Sequence, residues 1–226
     1  MSLVILHSDN HLLAVEKSAG LPTVPDESGD ESLFDLARAW VEVEFDKPGR
    51  AFLGVVHRLD RPVSGVVLFA RTSKAAARLT NQFRERTVKK SYLGICEGVL
   101  PEESGRVEHW LFKDRSANRV VVREGECVGA KQAVTTWRVL HEAGGKTLVE
   151  LHPETGRSHQ LRVAVASLGA PLSGDLKYGA PEPLPDKSVA LHARSLEVEH
   201  PTLRERLAFE AELPSGDWWR IAAGRL

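Results

Sequence analysis

Two short stretches hold most of the side chains able to do chemistry. In the first, His57-Arg58-Leu59-Asp60-Arg61-Pro62-Val63-Ser64-Gly65, a carboxylate stands between two guanidinium groups. Positive neighbours favour the ionised form, so Asp60 is expected to be a carboxylate at neutral pH, suited to act as a base or a nucleophile. The same residues also fit a loop salt bridge with a capping Asp, and the segment alone leaves both readings open. In the second stretch, Thr155-Gly156-Arg157-Ser158-His159-Gln160-Leu161-Arg162, Gly156 admits a backbone conformation closed to other residues. Ser158 is placed to cap a helix that follows. His159 and Arg162, three apart, project to one side of that helix, while Leu161, Val165 and Leu168 take the core side. From there Arg162 has two uses: holding Asp60 by paired hydrogen bonds, or gripping a phosphate.

Loops carry such groups best when a rigid sheet holds them. Short apolar runs at 4–6 and 12–15, separated by Ser8-Asp9-Asn10, predict a hairpin, and the Pro, Gly and acid content of 20–29 predicts a loop. Ser32-Leu33-Phe34-Asp35 reads as a capping box, followed by Leu33, Leu36, Ala37, Trp40 and Val41 at helical spacing and stopped by Pro48-Gly49. Segments 54–56 and 65–69 predict two strands flanking the Asp60 loop. Ser73 is the expected cap of a second helix, with Ala76, Leu79 and Phe83 inward and Lys74 and Arg78 outward. Strands are expected at 91–95, 107–112, 119–122, 133–140 and 147–151, a helix at 158–168, and late strands at 191–198, 207–211 and 218–221. Few helices and many strands joined by short turns predict an α+β fold: a mixed, mainly antiparallel central sheet flanked by helices. No repeat or linker composition interrupts residues 1–226, so a single domain is expected.

The 226 residues carry 42% hydrophobic and 27% charged side chains, ordinary for a globular protein with a sizeable core. No apolar run approaches the roughly 18 residues that span a bilayer, and the start lacks the features of a secretory signal, so no membrane partner is expected. Cys96 and Cys127 are too few for a disulfide framework or a thiolate cage, which suits a reducing cytoplasm. The net charge of −1 hides an asymmetry: Arg71–Lys90 holds seven basic residues against Glu85, whereas 24–48 holds eight acids against Arg38 and Lys47. Such a strip can put a positive field on one face of a neutral molecule, though a solvated helix face produces the same pattern. A metal-dependent hydrolase using His57, Asp60, His152 and His159 is a rival. The lone His-x-x-x-His pair, His7 and His11, brackets a hairpin turn with no Glu beside it, so no metal is expected.

The motifs together resemble a known family. His57-Arg58-Leu59-Asp60 with Ser64-Gly65 is similar to the catalytic motif of RNA pseudouridine synthases related to large-subunit ribosomal RNA pseudouridine synthase A. In order, Lys90-Ser91-Tyr92, Thr155 to Arg162, Gly169-Ala170-Pro171, Gly174-Asp175, Tyr178-Gly179, Leu191-His192-Ala193 and His200-Pro201 resemble its later segments, and Leu13–Val15, Lys17 and Gly20-Leu21 its entry. Ser18, Val63 and Ala164 depart from the pattern, which elsewhere has Pro, Thr and a second His.

The resemblance implies an isomerase that converts uridine in RNA to pseudouridine without cofactor or metal. It casts Asp60 as the essential carboxylate, Tyr92 as the ring that stacks on uracil and the candidate final base, and Arg162 as the partner of Asp60. Arg58 is expected to fill the space of a flipped nucleotide. His57, Arg61, Lys74, Arg78, Lys90, Arg157, His159 and Gln160 are expected to contact RNA, with a loop-ordering role open for His57, Arg157, His159 and Gln160. Tyr178, Asp175 and His192 are expected in the pocket wall. By the same resemblance, residues 1–226 are expected to be one catalytic domain with no separate N-terminal RNA-binding domain, and ribosomal or transfer RNA, as a stem-loop, is the expected partner of a monomer. A catalytically inactive RNA-binding or assembly protein of the same fold is the alternative.

Overall fold

A computed structural model describes residues 3–46, 48–114 and 116–220. The chain divides into two compact units. One comprises the chain up to Lys90 with Ala193–Glu212, the other Ser91–His192 with the chain from Leu213.

In the first unit, β1 (Val4–Ser8) and β2 (Leu12–Lys17) form the expected antiparallel hairpin. Asp9 closes its turn by accepting the backbone N–H groups of His11 and Leu12. α1 (Leu33–Glu44) starts where the capping box places it: Ser32 Oγ accepts the Asp35 N–H at 3.2 Å, and Leu33, Ala37 and Val41 are buried at helical spacing. β3 (Gly54–Val55) and β2 both pair with β4 (Ser64–Ala70), every residue of which is buried. Gly65 opens β4 at φ +116°, and a Cβ there would lie 2.3 Å from the Ala193 carbonyl oxygen, so only glycine fits directly after the Asp60 loop.

α2 (Ser73–Glu85) is capped by Thr72 rather than the expected Ser73. Thr72 keeps the extended backbone a cap needs, and its Oγ1 takes the Ala75 N–H at 3.2 Å. α2 sets Ala75 and Leu79 into a core with Leu12, Ala14, Val66, Leu68 and Phe209. β10 (Leu191–Glu199) lies next to β4 in the sheet and pairs antiparallel with β11 (Arg206–Glu210).

In the second unit, β5 (Lys89–Glu97), β9 (Lys146–Pro153), β8 (Ala130–Ala143), β6 (Ser104–Asp114) and β7 (Arg119–Arg123) form an antiparallel array in that order. α3 (Gln160–Ser167) packs Val163 against Leu111, Val120, Ala133 and Tyr178. The strand expected at 218–221 is instead a 3-10 turn over Asp217–Arg220, with Ile221 outside the described residues. The turn lets Trp219 drop into a cluster with Ile95, Leu148 and Ala190, a burial that outweighs the β-propensity of the aromatic pair. Otherwise the strand-rich α+β arrangement holds, with three α-helices among the described residues. None of these helices is long and apolar enough to cross a membrane.

Candidate active site

The Asp60 loop is tied to the 18–30 loop through the backbone of Leu59 and Arg61 and through the Arg61 side chain. Thr23 Oγ1 donates to the Leu59 carbonyl and accepts the Leu59 N–H, at 2.9 and 3.2 Å. The Gly20 N–H and the Lys17 ammonium both reach the Arg61 carbonyl, at 2.8 and 3.0 Å. Lys17 also donates to the carbonyls of Ser18 and Leu21 and is fully buried. Burial pulls its pKa down to about 7, against the opposing pull of the Asp60 charge. Arg61 turns its guanidinium onto the same loop, bonding the Gly20 carbonyl and Ser28 and pairing with Asp30. Asp60 itself is half-buried, and Arg58 beside it is exposed.

His57 stacks on Phe83 with ring centroids 4.9 Å apart, and its Nε2 accepts the Leu68 N–H at 2.8 Å. Burial, helped by the Lys90 charge, lowers its pKa to about 4, and an accepting Nε2 likewise favours the neutral ring. His57 is therefore a neutral ring at physiological pH, stacked on Phe83 and bonded to the β4 backbone. The linkage has a definite sign: between about 4 and 6.5 the unfolded chain holds a proton that the folded chain lacks, so stability rises with pH through that window. Replacing His57 by Gln should remove this contribution, flattening the slope of unfolding free energy against pH there by up to about 1.4 kcal/mol per pH unit. Denaturant melts across that window check it, and an unchanged slope would show His57 protonated in the folded state.

On α2, Lys74 and Arg78 are both exposed as expected. Arg78 also bonds the Pro201 carbonyl. Lys90 is half-buried, and its pKa is lowered to about 8 by burial first and by Arg86 second.

In the second unit Tyr92 lies on β5, half-buried and opposite Leu151 of β9. The approach to α3 is built by Gln160. Its Oε1 accepts from Thr155 Oγ1 at 2.6 Å and from the Arg157 N–H at 3.0 Å. Its amide nitrogen donates to the Val134 carbonyl and to Thr135 Oγ1. Gln160 is buried, with its amide held by these bonds. Arg157 Nε adds a bond to the Gln132 carbonyl. Ser158 does not cap the helix; the cap residue is His159, in the left-handed region at φ 53° with no side-chain cap bond. Its ring is held instead by the Tyr178 hydroxyl, 2.6 Å from Nδ1.

Arg162 and Asp175 form a bidentate buried pair, Nε to Oδ2 and Nη2 to Oδ1, each at 2.7 Å. Side-chain exposure is 6% for the arginine and 1% for the aspartate, so neither charge is tolerable without compensation. The Tyr178 ring lies 5.1 Å from the guanidinium carbon, and its hydroxyl accepts the Val120 N–H at 3.0 Å. Asp175 and Tyr178 are placed by a 3-10 turn (Leu176–Tyr178) entered through Gly174 at φ +81°, where a Cβ would meet the Ser188 carbonyl oxygen at 2.5 Å. Asp175 was expected only in a pocket wall. Its bond to Arg162 has no signal in spacing, because the two meet through tertiary packing.

Among the described residues no three His, Cys, Asp or Glu side chains converge in a metal-binding arrangement. Comparison with known proteins then decides the family: the model for RNA pseudouridylate synthase matches residues 11–167. The chain belongs to that family. It is accordingly an isomerase that forms pseudouridine in RNA. Among curated relatives, the dual-specificity RNA pseudouridine synthase RluA of Haemophilus influenzae is 37% identical over 212 residues, covering 93% of each chain. Ribosomal large subunit pseudouridine synthase D of Nitrosomonas europaea is 36% identical over 225 residues, covering 94% of this chain and 62% of its own. Of solved structures, human RNA pseudouridylate synthase domain containing 4 superposes with a TM-score of 0.78 at 29% identity, over 94% of this chain and 89% of its own.

Proposed function

We propose that the chain converts uridine to pseudouridine in ribosomal or transfer RNA, with Asp60 as its essential carboxylate. The observation that carries the reading is the family match over 11–167, which spans both His57–Asp60 and the Thr155 to Arg162 segment. Both units are taken as parts of one catalytic domain, acting as a monomer in the cytoplasm on a stem-loop.

The reaction conserves atoms, so no co-reactant is required. Asp60 attacks or deprotonates the target nucleotide, and the bond from uracil N1 to ribose C1′ breaks. The base rotates and its C5 bonds to C1′ as Asp60 leaves C1′ or returns the proton it took. The C5 proton is lost by way of Tyr92, on whose face uracil stacks, and N1 gains a proton, so the net change is C5–H for N1–H. Arg162 steadies the Asp60 carboxylate. Arg58 fills the gap left by the flipped nucleotide. Lys74, Arg78 and Lys90 contact the backbone, whereas His57, Arg61 and Gln160 order the loops.

The test uses RNA from a strain lacking the gene, carrying uridine tritiated at C5. The expected result is release of label by the wild-type protein, undiminished in excess chelator. Binding without any release would favour the inactive RNA-binding alternative, and release abolished by chelator would favour the metal-dependent rival.

A further inference from the structure

We propose that the second unit carries a phosphate-anchoring surface for RNA, built from Lys113, Arg119, Lys131, Arg157 and Lys177. These residues ring the small core of Leu111, Val120, Ala133, Val163 and Tyr178. Lys113 stands opposite Val120 and Lys131 opposite Leu111, and residues directly opposite across an antiparallel pair project from the same face. Both lysines therefore border that core while remaining exposed. Arg119 reaches over the Tyr178 ring at 5.4 Å, and Lys177, beside Tyr178 in sequence, bonds the Asn118 carbonyl at 2.7 Å. Arg157 is fixed at the rim by its bond to the Gln132 carbonyl.

Charge pairing differs across this sheet. On the opposite face, Arg106 pairs with Glu108 and Glu154 and Arg138 with Glu150, while Arg123 lies over the Phe112 ring. Around the Tyr178 core, Lys113, Arg119, Lys131 and Arg157 have no carboxylate within ion-pair distance among the described residues. Asp114, next to Lys113 and directly opposite Arg119 in the register, turns its carboxylate onto Ser116 and Ala117, while the Arg119 side chain reaches instead to Tyr178. Among the described residues, Glu124 and Glu126 of the β7–β8 turn form no ion pair with Lys113, Arg119, Lys131 or Arg157. Cations not paired to an acid, such as Lys113, Arg119, Lys131 and Arg157 among the described residues, repel one another, and an external polyanion relieves that repulsion. Cations spread around a core, rather than converging in a pocket, suit successive backbone phosphates better than one small anion. Arg119 and Arg162 lie 5.4 and 5.1 Å from the same Tyr178 ring.

The choice of RNA as the anion rests on the proposed function. The test substitutes Lys113→Gln, Arg119→Gln and Lys131→Gln together, all at exposed positions that make no side-chain hydrogen bond in the framework. Binding and single-turnover conversion of transfer and ribosomal RNA from a strain lacking the gene are measured across a salt series. The expected result is affinity weakened by roughly 10-fold or more at low salt. The slope of log affinity against log salt should fall by about two to three, with the rate at saturating RNA within about twofold of wild type. Unchanged affinity and slope, or a lower saturating rate at unchanged affinity, would overturn the surface. Wild-type protein that binds RNA through the trio yet converts no uridine would sink the catalytic reading and leave the surface standing. Wild-type protein that neither binds nor converts would remove both.

Discussion

Asp60→Asn is expected to yield a folded protein that still binds RNA and no longer forms pseudouridine. The substitution keeps size and most hydrogen-bonding capacity but removes the charge that acts as base or nucleophile, so turnover should fall by at least about 10⁴-fold. The loop should survive, because it is latched through backbone groups: the Leu59 carbonyl and N–H to Thr23, and the Arg61 carbonyl to Lys17 and Gly20. RNA affinity should stay within about twofold, since phosphate contacts dominate binding and none is altered. One secondary effect has a known sign. The Asp60 charge raises the Lys17 pKa against burial, so its loss should lower that pKa further and make the ammonium easier to discharge. Tritium release and filter binding on the same preparation decide the matter. Binding that falls in step with turnover would make Asp60 a structural residue and defeat the assignment.

Local chemistry was legible where a single segment decides the outcome. Ser32 and Asp35 announce α1 because a cap needs only neighbours three apart. The α2 cap shifted by one residue because Thr72 and Ser73 are equally able caps by type, and only the backbone torsion at the strand end separates them. The stretch 218–221 reads as a strand by composition, yet the burial of Trp219 among Ile95, Leu148 and Ala190 sets its conformation, and those partners are remote in sequence.

The same division runs through the site. The types and order of Asp60, Tyr92 and Arg162 are visible as motifs. Lys17 and Asp175 were seen only as motif matches, because their work is tertiary. A lysine ending a buried strand is the one cue that Lys17 carried, since a charge there requires acceptors that close around it. Gln160 looked like a helix-start polar residue able to meet a ligand. Its four protein partners are set by β8 and the Thr155 turn, which no local pattern specifies.

Asp175→Asn is the second substitution with a large expected effect, and it separates positioning from bulk stability. Asn keeps one acceptor oxygen but sets an amide against the guanidinium where two carboxylate oxygens stood at 2.7 Å. A buried cation then loses most of its compensation, and a broken buried pair costs about 3–5 kcal/mol, with the surviving oxygen holding the loss toward the lower end. Arg162 should also lose its fixed orientation, and a misplacement of about 1 Å in a positioned group can cost on the order of 10²-fold in rate. The expected signature is a turnover rate lower by about that factor with RNA KM within about threefold, measured below the lowered melting temperature. Arg162→Met supplies the control. The double variant with Asp175→Asn should be more stable than Asp175→Asn alone, because the stranded cation is gone, yet no more active than Arg162→Met. If Asp175→Asn lowered the rate by the same factor with and without Arg162, the carboxylate would be acting on the reaction by itself. The clamp on the arginine would then be the wrong account of its effect.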